Sequence, residues 1–142
     1  YALNYLLEQL REEYDCVLNT NVDDYYSIDR VEKQLRFMKH GFDIVSSNFS
    51  LVKDGEITHT HQFDKMDIAL ELSNNHNIIC HPAVCYSQRF LMSNKYVPEQ
   101  QPLEDMMLWQ RTVKKYNFII LPDVLCYHRL HEQSVCQNEE NR

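Results

Sequence analysis

The run L-N-T-N-V-D-D-Y-Y, residues 18 to 26, sets two aspartates side by side directly after a short apolar segment. Adjacent carboxylates repel, and water, a protein partner or a cation must offset that repulsion. An acidic pair in a loop commonly serves a turn or a helix cap, and Ser27 and Asp29 stand nearby for the same work. The alternative is a hard divalent cation, which takes one or two carboxylates and completes its shell with substrate phosphate oxygens. A second acidic pair, Glu104-Asp105, opens a helical segment, where negative charge suits the positive end of the helix. Histidine and cysteine permit a third chemistry: Cys80, His81, Cys85, Cys126, His128, His131 and Cys136 suggest a zinc-stabilised interaction domain. Against it, there is no Cys-x-x-Cys pair to supply closely spaced structural ligands. His59-Thr60-His61 on a strand points both imidazoles to one face, which solvation accounts for.

These side chains need elements to position them. Leu3, Leu6, Leu7 and Leu10 recur at helical spacing over residues 2 to 12, and Cys16-Val17-Leu18 reads as a short buried strand. The Asn/Asp cluster at 19 to 24 ends that strand. A helix from Asp29 to His40 is expected to turn Val31, Leu35 and Met38 inward, with Gly41 as its C-terminal cap. A strand at Asp43 to Phe49 follows, and Lys53-Asp54-Gly55 predicts a tight hairpin turn, because Asp-Gly readily adopts positive φ. Residues 63 to 73 read as helix, 74 to 77 as loop, 78 to 86 as β-like around Pro82, and 88 to 93 as a short helix. After a loop at 97 to 102, a helix at 103 to 116 has Met106, Trp109 and Val113 on its inner face. Two last strands, 118 to 121 and 124 to 128, are expected on either side of Pro122-Asp123. Helices alternating with short strands predict an α/β domain with a mixed β-sheet flanked by helices. Ligands of such sheets bind at the carboxyl ends of strands, where Asp23 and Asp24 stand.

Composition narrows the function classes. At 142 residues, 44% of them hydrophobic, the chain supports one domain with a real core. A formal net charge of -7 with dispersed basic residues argues against a nucleic-acid partner. No apolar run reaches membrane-spanning length and no leader pattern is visible, so the chain reads as soluble. Five cysteines without short regular spacing suit a reducing cytoplasm. Two glycines and four prolines leave no linker, so residues 1 to 142 form one expected domain. The start at Tyr1, inside a helical pattern, suggests a piece of a longer protein.

Taken in order, Asn21-Val22-Asp23-Asp24, Ile28 to Gln34, Glu104-Asp105-Met106-Met107-Leu108-Trp109 and Tyr127 to Ser134 resemble family 2 glycosyltransferases of the GT-A fold. The family's motifs are an Asp-x-Asp-Asp loop, a Glu-Asp-x-x-Leu-Trp helix and a Tyr-x-Arg-x-His-x-x-Ser segment, and the resemblance runs from about Leu3 to Val135. It implies a partial GT-A fold of the nucleotide-diphospho-sugar transferase kind, covering the carboxyl-terminal catalytic and acceptor-binding portion. The implied activity is transfer, with inversion, from a nucleotide-sugar donor to a hydroxyl of a glycan, lipid or protein acceptor. Mn2+ or Mg2+ would sit on Asp23, with Asn21, Asp24, Arg129 and His131 on the donor and its diphosphate. Asp105 would be the catalytic base and Glu104 its neighbour. Tyr25 and Tyr26 are the aromatics placed to stack on a sugar or base.

The chain departs from the pattern in three places. Asn21 replaces the first acid, Asn94-Lys95-Tyr96 stands where Gly-Gly-Tyr is common, and the family's amino-terminal strand-helix-strand units are not in this chain. Asn21 can hydrogen-bond a ribose hydroxyl or a metal-bound water but brings no charge. A GT-A-like binding module without turnover is therefore the main rival, and membrane association would depend on other segments.

Overall fold

The computed structural model describes residues 2 to 131. Helix α1 (Ala2–Leu10) follows the leucine spacing, but Leu7 alone of its residues is fully buried, and Leu6 stays 55% exposed. Strand β1 (Cys16–Leu18) leads through the acidic loop to the two-residue β2 (Tyr25–Tyr26) and then α2 (Arg30–Lys39). The rest of the chain supplies β3 (Ile44–Lys53), β4 (Glu56–His61), α3 (Ile68–Ser73), β5 (Cys85–Ser87), α4 (Gln88–Ser93), α5 (Glu104–Thr112) and β6 (Phe118–Arg129). Short 3-10 turns occupy His81–Ala83 and Pro98–Gln100.

The sheet is mixed, as expected. Its order is β1-β5-β3-β6-β2, with β4 also paired to β3. Among the described residues, only β3 and β6 run parallel, and the other pairs are antiparallel. Successive residues of β3 point to opposite faces. Ile44 joins Tyr86, Phe90, Leu108 and Trp109 on the face covered by α1, α3, α4 and α5, while Val45 joins Cys85, Leu121 and Leu125, with Phe37 and Met38 of α2 packed against them.

Several boundaries differ from the sequence reading, each for an identifiable reason. The two strands expected around Pro122-Asp123 are one strand, β6, whose register against β3 shifts from Ser47↔Leu121 to Asn48↔Val124. Proline has no N–H for the ladder, so the chain bulges past it rather than ending there. Asn48 repairs the gap: its Nδ2 donates to Pro122 O at 3.1 Å, and its Oδ1 accepts from Phe63 N at 2.7 Å. That last bond holds residue 63 in a loop, so α3 begins only after Asp67, whose carboxylate accepts from Leu70 N at 3.0 Å. The β-like stretch at 78 to 86 is mostly turn, with pairing confined to β5. Helix α5 ends at Thr112, whose hydroxyl bonds back to Leu108 O at 2.7 Å.

The inner face of α2 is corrected in part: Met38 packs inward as expected, but Val31 does not. Val31 is 53% exposed, and the buried residues are Arg30 and Gln34. Gln34 Nε2 donates to the carbonyls of Val45 and Ala83, both at 2.7 Å, and its Oε1 accepts from Arg30 Nε at 2.8 Å. Those two carbonyls lie where the helix crosses strand and turn, and a buried carbonyl needs a donor more than it needs another methyl group. Gly41 does follow the helix, at φ +87°, and the hairpin at Asp54 (φ 52°) and Gly55 (φ 85°) forms as predicted. Among the described residues no helix is long and apolar enough to cross a membrane.

Candidate functional site

The loop after β1 is fixed at both ends. Asn19 donates from its backbone to Val84 O at 2.8 Å and from its side chain to His81 O at 3.0 Å. Arg30 Nη2 donates to Asn19 O at 2.7 Å while its guanidinium lies 4.5 Å from the Tyr26 ring centre. The Tyr26 hydroxyl accepts from Asn21 N at 2.7 Å, and burial, its largest influence, pushes that phenol up to about 12. Tyr26 is thus engaged in holding the loop, and Tyr25 is exposed on strand β2.

The repulsion between the two aspartates is resolved by sending them different ways. Asp24 turns inward, with Oδ1 accepting from Arg129 N at 3.1 Å and lying 2.9 Å from His128 Nδ1. Asp23 faces outward, with Oδ2 2.9 Å from His131 Nε2. The hydrogen bond from His131 is the largest of the influences that hold the Asp23 carboxyl below the usual carboxylate range. Asp24 therefore pins the end of β6 to the acidic loop and does not line the cavity beside it, and Arg129 takes part through its backbone. The resemblance places Asp24 on the donor, and the structure gives its Oδ1 a role in joining the acidic loop to β6.

That cavity encloses about 660 Å³. Asn21, Asp23, His128 and His131 lie on its wall, and so do Glu104 and Asp105 from the start of α5. Asp105 is oriented by two donors: Asn77 Nδ2 reaches its Oδ2 at 3.0 Å, and the Met106 N–H its Oδ1 at 2.7 Å. Both oxygens retain capacity to accept a further proton or hydrogen bond. Phe49, Ile79, Leu103 and Met106 are among the apolar residues of the lining.

Several lining residues were not expected from sequence as site residues, Asn77, Phe49 and His81 among them. Asn77 and Phe49 are ordinary types in loop and strand, and only the fold brings them here. His81, read from sequence only as a zinc candidate, lines the cavity with Nε2 2.9 Å from the Tyr96 hydroxyl, itself 2.7 Å from the Tyr86 hydroxyl. Burial lowers the affinity of His81 for a proton, and the neighbouring Asp105 and Glu104 work in the opposite direction.

No three histidine, cysteine, aspartate or glutamate side chains converge as a metal-holding group among the described residues. Of the zinc candidates, Cys80 and Cys126 are packed in one apolar cluster and Cys136 lies outside the described residues, as do the last positions of the Tyr-x-Arg-x-His-x-x-Ser segment. Of the two acidic-loop carboxylates only Asp23 lines the cavity, so a divalent cation held there would have to take most of its ligands from elsewhere. No known family model matches the chain, and no curated protein does.

Proposed function

We propose that the chain is the catalytic and acceptor-binding portion of a glycosyltransferase with a GT-A-like fold, moving a sugar from a nucleotide-sugar to an acceptor hydroxyl. The observation that carries this reading is the meeting of Asp23 and Asn21 with Glu104 and Asp105 on one cavity. The segments that bear them lie about eighty residues apart in sequence, so local structure alone gives no reason for them to meet. In the proposed reaction an acceptor hydroxyl gives its proton to Asp105, and its oxygen bonds to the anomeric carbon. The bond from that carbon to the diphosphate breaks, its electron pair leaving with the nucleotide. Asn77 holds the Asp105 carboxylate in place. When bound on Asp23, Mn2+ or Mg2+ would neutralise charge that builds on the leaving diphosphate.

Calorimetry with UDP and Mn2+ tests the donor side. Metal and nucleotide should bind synergistically, because one carboxylate is too small a ligand set for the metal alone. Asp23→Ala should abolish the synergy, and retention of it in that variant defeats the assignment. A binding module without turnover is the second reading, favoured by the amide at Asn21 and by the engagement of Asp23 with His131. Nucleotide binding with metal but no transfer to any acceptor would select it.

A further inference from the structure

His81 is held in the cavity wall from behind. Its Nε2 lies 2.9 Å from the Tyr96 hydroxyl, which lies 2.7 Å from the hydroxyl of Tyr86. Both tyrosines are only 1% exposed, so this line of polar groups runs from the cavity into the core. Tyr96 is clamped in turn by Asn4 of α1, whose Nδ2 donates to Tyr96 O at 2.8 Å and whose Oδ1 accepts from Tyr96 N at 2.9 Å. Fully buried Trp109 backs the imidazole, with ring centres 6.3 Å apart. The backbone is fixed as well, since His81 O accepts from the Asn19 side chain at 3.0 Å and from Val84 N at 3.2 Å.

The second ring nitrogen is left for a ligand. Among the described residues none bonds His81 Nδ1, and that atom is not sealed from solvent. The open space that the residue borders is the cavity. Burial is the first cause of the lowered proton affinity of His81, and Asp105 and Glu104 do not cancel it, so the ring is neutral at pH 7. A neutral imidazole donates or accepts at Nδ1 according to its tautomer, and a hydroxyl answers either one. A phosphate or carboxylate could only accept, and it would meet the like charges of Glu104 and Asp105 on the same wall. An alkyl chain would leave Nδ1 without a partner.

We infer that His81 is a substrate-contacting residue of this site, its Nδ1 hydrogen-bonding a hydroxyl of the sugar that is transferred. The inference rests on the glycosyltransferase reading, which sets that sugar between the diphosphate at Asp23 and the acceptor hydroxyl at Asp105. It adds a residue that binds and orients the sugar, while the proton still goes to Asp105. A ring already fixed through Nε2 loses little freedom when Nδ1 takes up the ligand.

Calorimetry with UDP, UDP-glucose, UDP-galactose and UDP-N-acetylglucosamine, each with Mg2+, tests it on the parent and two variants. Glutamine carries its amide close to where Nε2 stood, and asparagine close to where Nδ1 stood. His81→Gln therefore keeps a partner for Tyr96 and loses the one facing the cavity. It should weaken at least one nucleotide-sugar by about 2- to 10-fold, the scale of one neutral hydrogen bond, and leave UDP unchanged. His81→Asn should retain more of that affinity than His81→Gln. In the parent, the nitrogen NMR signal of His81 Nδ1 should move on addition of that nucleotide-sugar and stay in place with UDP, a readout that needs no variant to fold. The contact is overturned if UDP binds and no nucleotide-sugar does, or if His81→Gln binds every nucleotide-sugar as the parent does. It is equally overturned if His81→Gln loses UDP and nucleotide-sugars alike, which marks a structural role, or if the Nδ1 signal ignores every nucleotide-sugar. In each of those cases UDP binding to the parent leaves the transferase reading standing. If the parent binds neither UDP nor any nucleotide-sugar, the transferase reading falls and the His81 contact with it.

Discussion

At the scale of single residues, the two carboxylates of the acidic loop show how like charges are accommodated. Asp24 is desolvated, and its Oδ1 is met by the Arg129 backbone N–H and the adjacent His128, while its Oδ2 is buried without a hydrogen-bond partner among the described residues. Asp23 keeps its access to the cavity and is balanced by His131. Asp105 is different, since one of its hydrogen bonds is to the first backbone N–H after it, an arrangement that helix starts favour in any protein. Its second bond, from Asn77, comes from a distant loop and fixes where the carboxylate points. On the proposed mechanism, Asp105→Asn should lower transfer by at least ~100-fold, the usual scale for a general base, with nucleotide affinity preserved. Asn77→Ala should lower turnover less and leave the helix intact by circular dichroism. Full activity in Asp105→Asn, with loss in Glu104→Gln, would move the base by one residue.

At the scale of elements, the lower end of the sheet depends on Asp43. Its carboxylate accepts from Arg89 at 3.0 and 2.7 Å, from the Ser87 hydroxyl at 2.8 Å and from Asn117 N at 3.0 Å, joining the starts of β3, α4 and β6. Burial, the largest single influence, would raise this group, but Arg89, the Asn117 N–H and Ser87 together outweigh it and hold it below its ordinary value of 3.8. A depressed folded value means stability that is fully present above that ordinary value and is lost as pH falls through the folded one. Asp43→Asn should therefore cost about 1.5 to 3 kcal/mol at pH 7, the range for hydrogen bonds to a charged partner. The difference from the parent should shrink as pH drops below about 3.8. Urea midpoints at pH 7 and at progressively lower pH measure it, and a constant difference would show that the carboxylate's charge is irrelevant. At the hairpin, Gly55→Ala should cost about 1 kcal/mol, because its φ of +85° is strained for a side chain although the space around it is open.

The same elements show what a sequence discloses. The hairpin and α4 were legible because their signals are local: Asp-Gly at the turn, and Ser87 capping the Phe90 N–H at 3.1 Å. The buried face of α2 was not, since Gln34 and Arg30 face inward to satisfy carbonyls from Val45 and Ala83 that the helix itself does not contain. The continuity of β6 was hidden for a similar reason, because the group that bridges Pro122 is Asn48 on another strand.

At the scale of the whole molecule, the acidic segments could be picked out as residue types, but their shared cavity is a product of the sheet. Strand β2 pairs with the carboxyl end of β6, which carries the loop of Asp23 to His131, and the cavity then extends to the start of α5. His81, Asn77 and Phe49 join from segments whose residues carry no distinctive spacing. This arrangement makes a long-range prediction. Strand β6 has 12 residues and spans roughly 36 Å at ~3.3 Å each, with His128 near one end and Asn117 just before the other. Mn2+ bound with UDP at Asp23 is paramagnetic and broadens nearby NMR signals with a steep fall in distance. Amide signals of Asn21, Asn77, Asp105 and Met106 should broaden together, while Asn117 and Asp43, at the far end of the sheet, remain sharp. If Asp105 stays as sharp as Asn117 while Asn21 broadens, the bound nucleotide and the candidate base do not share a site, and the binding-module reading replaces the transferase.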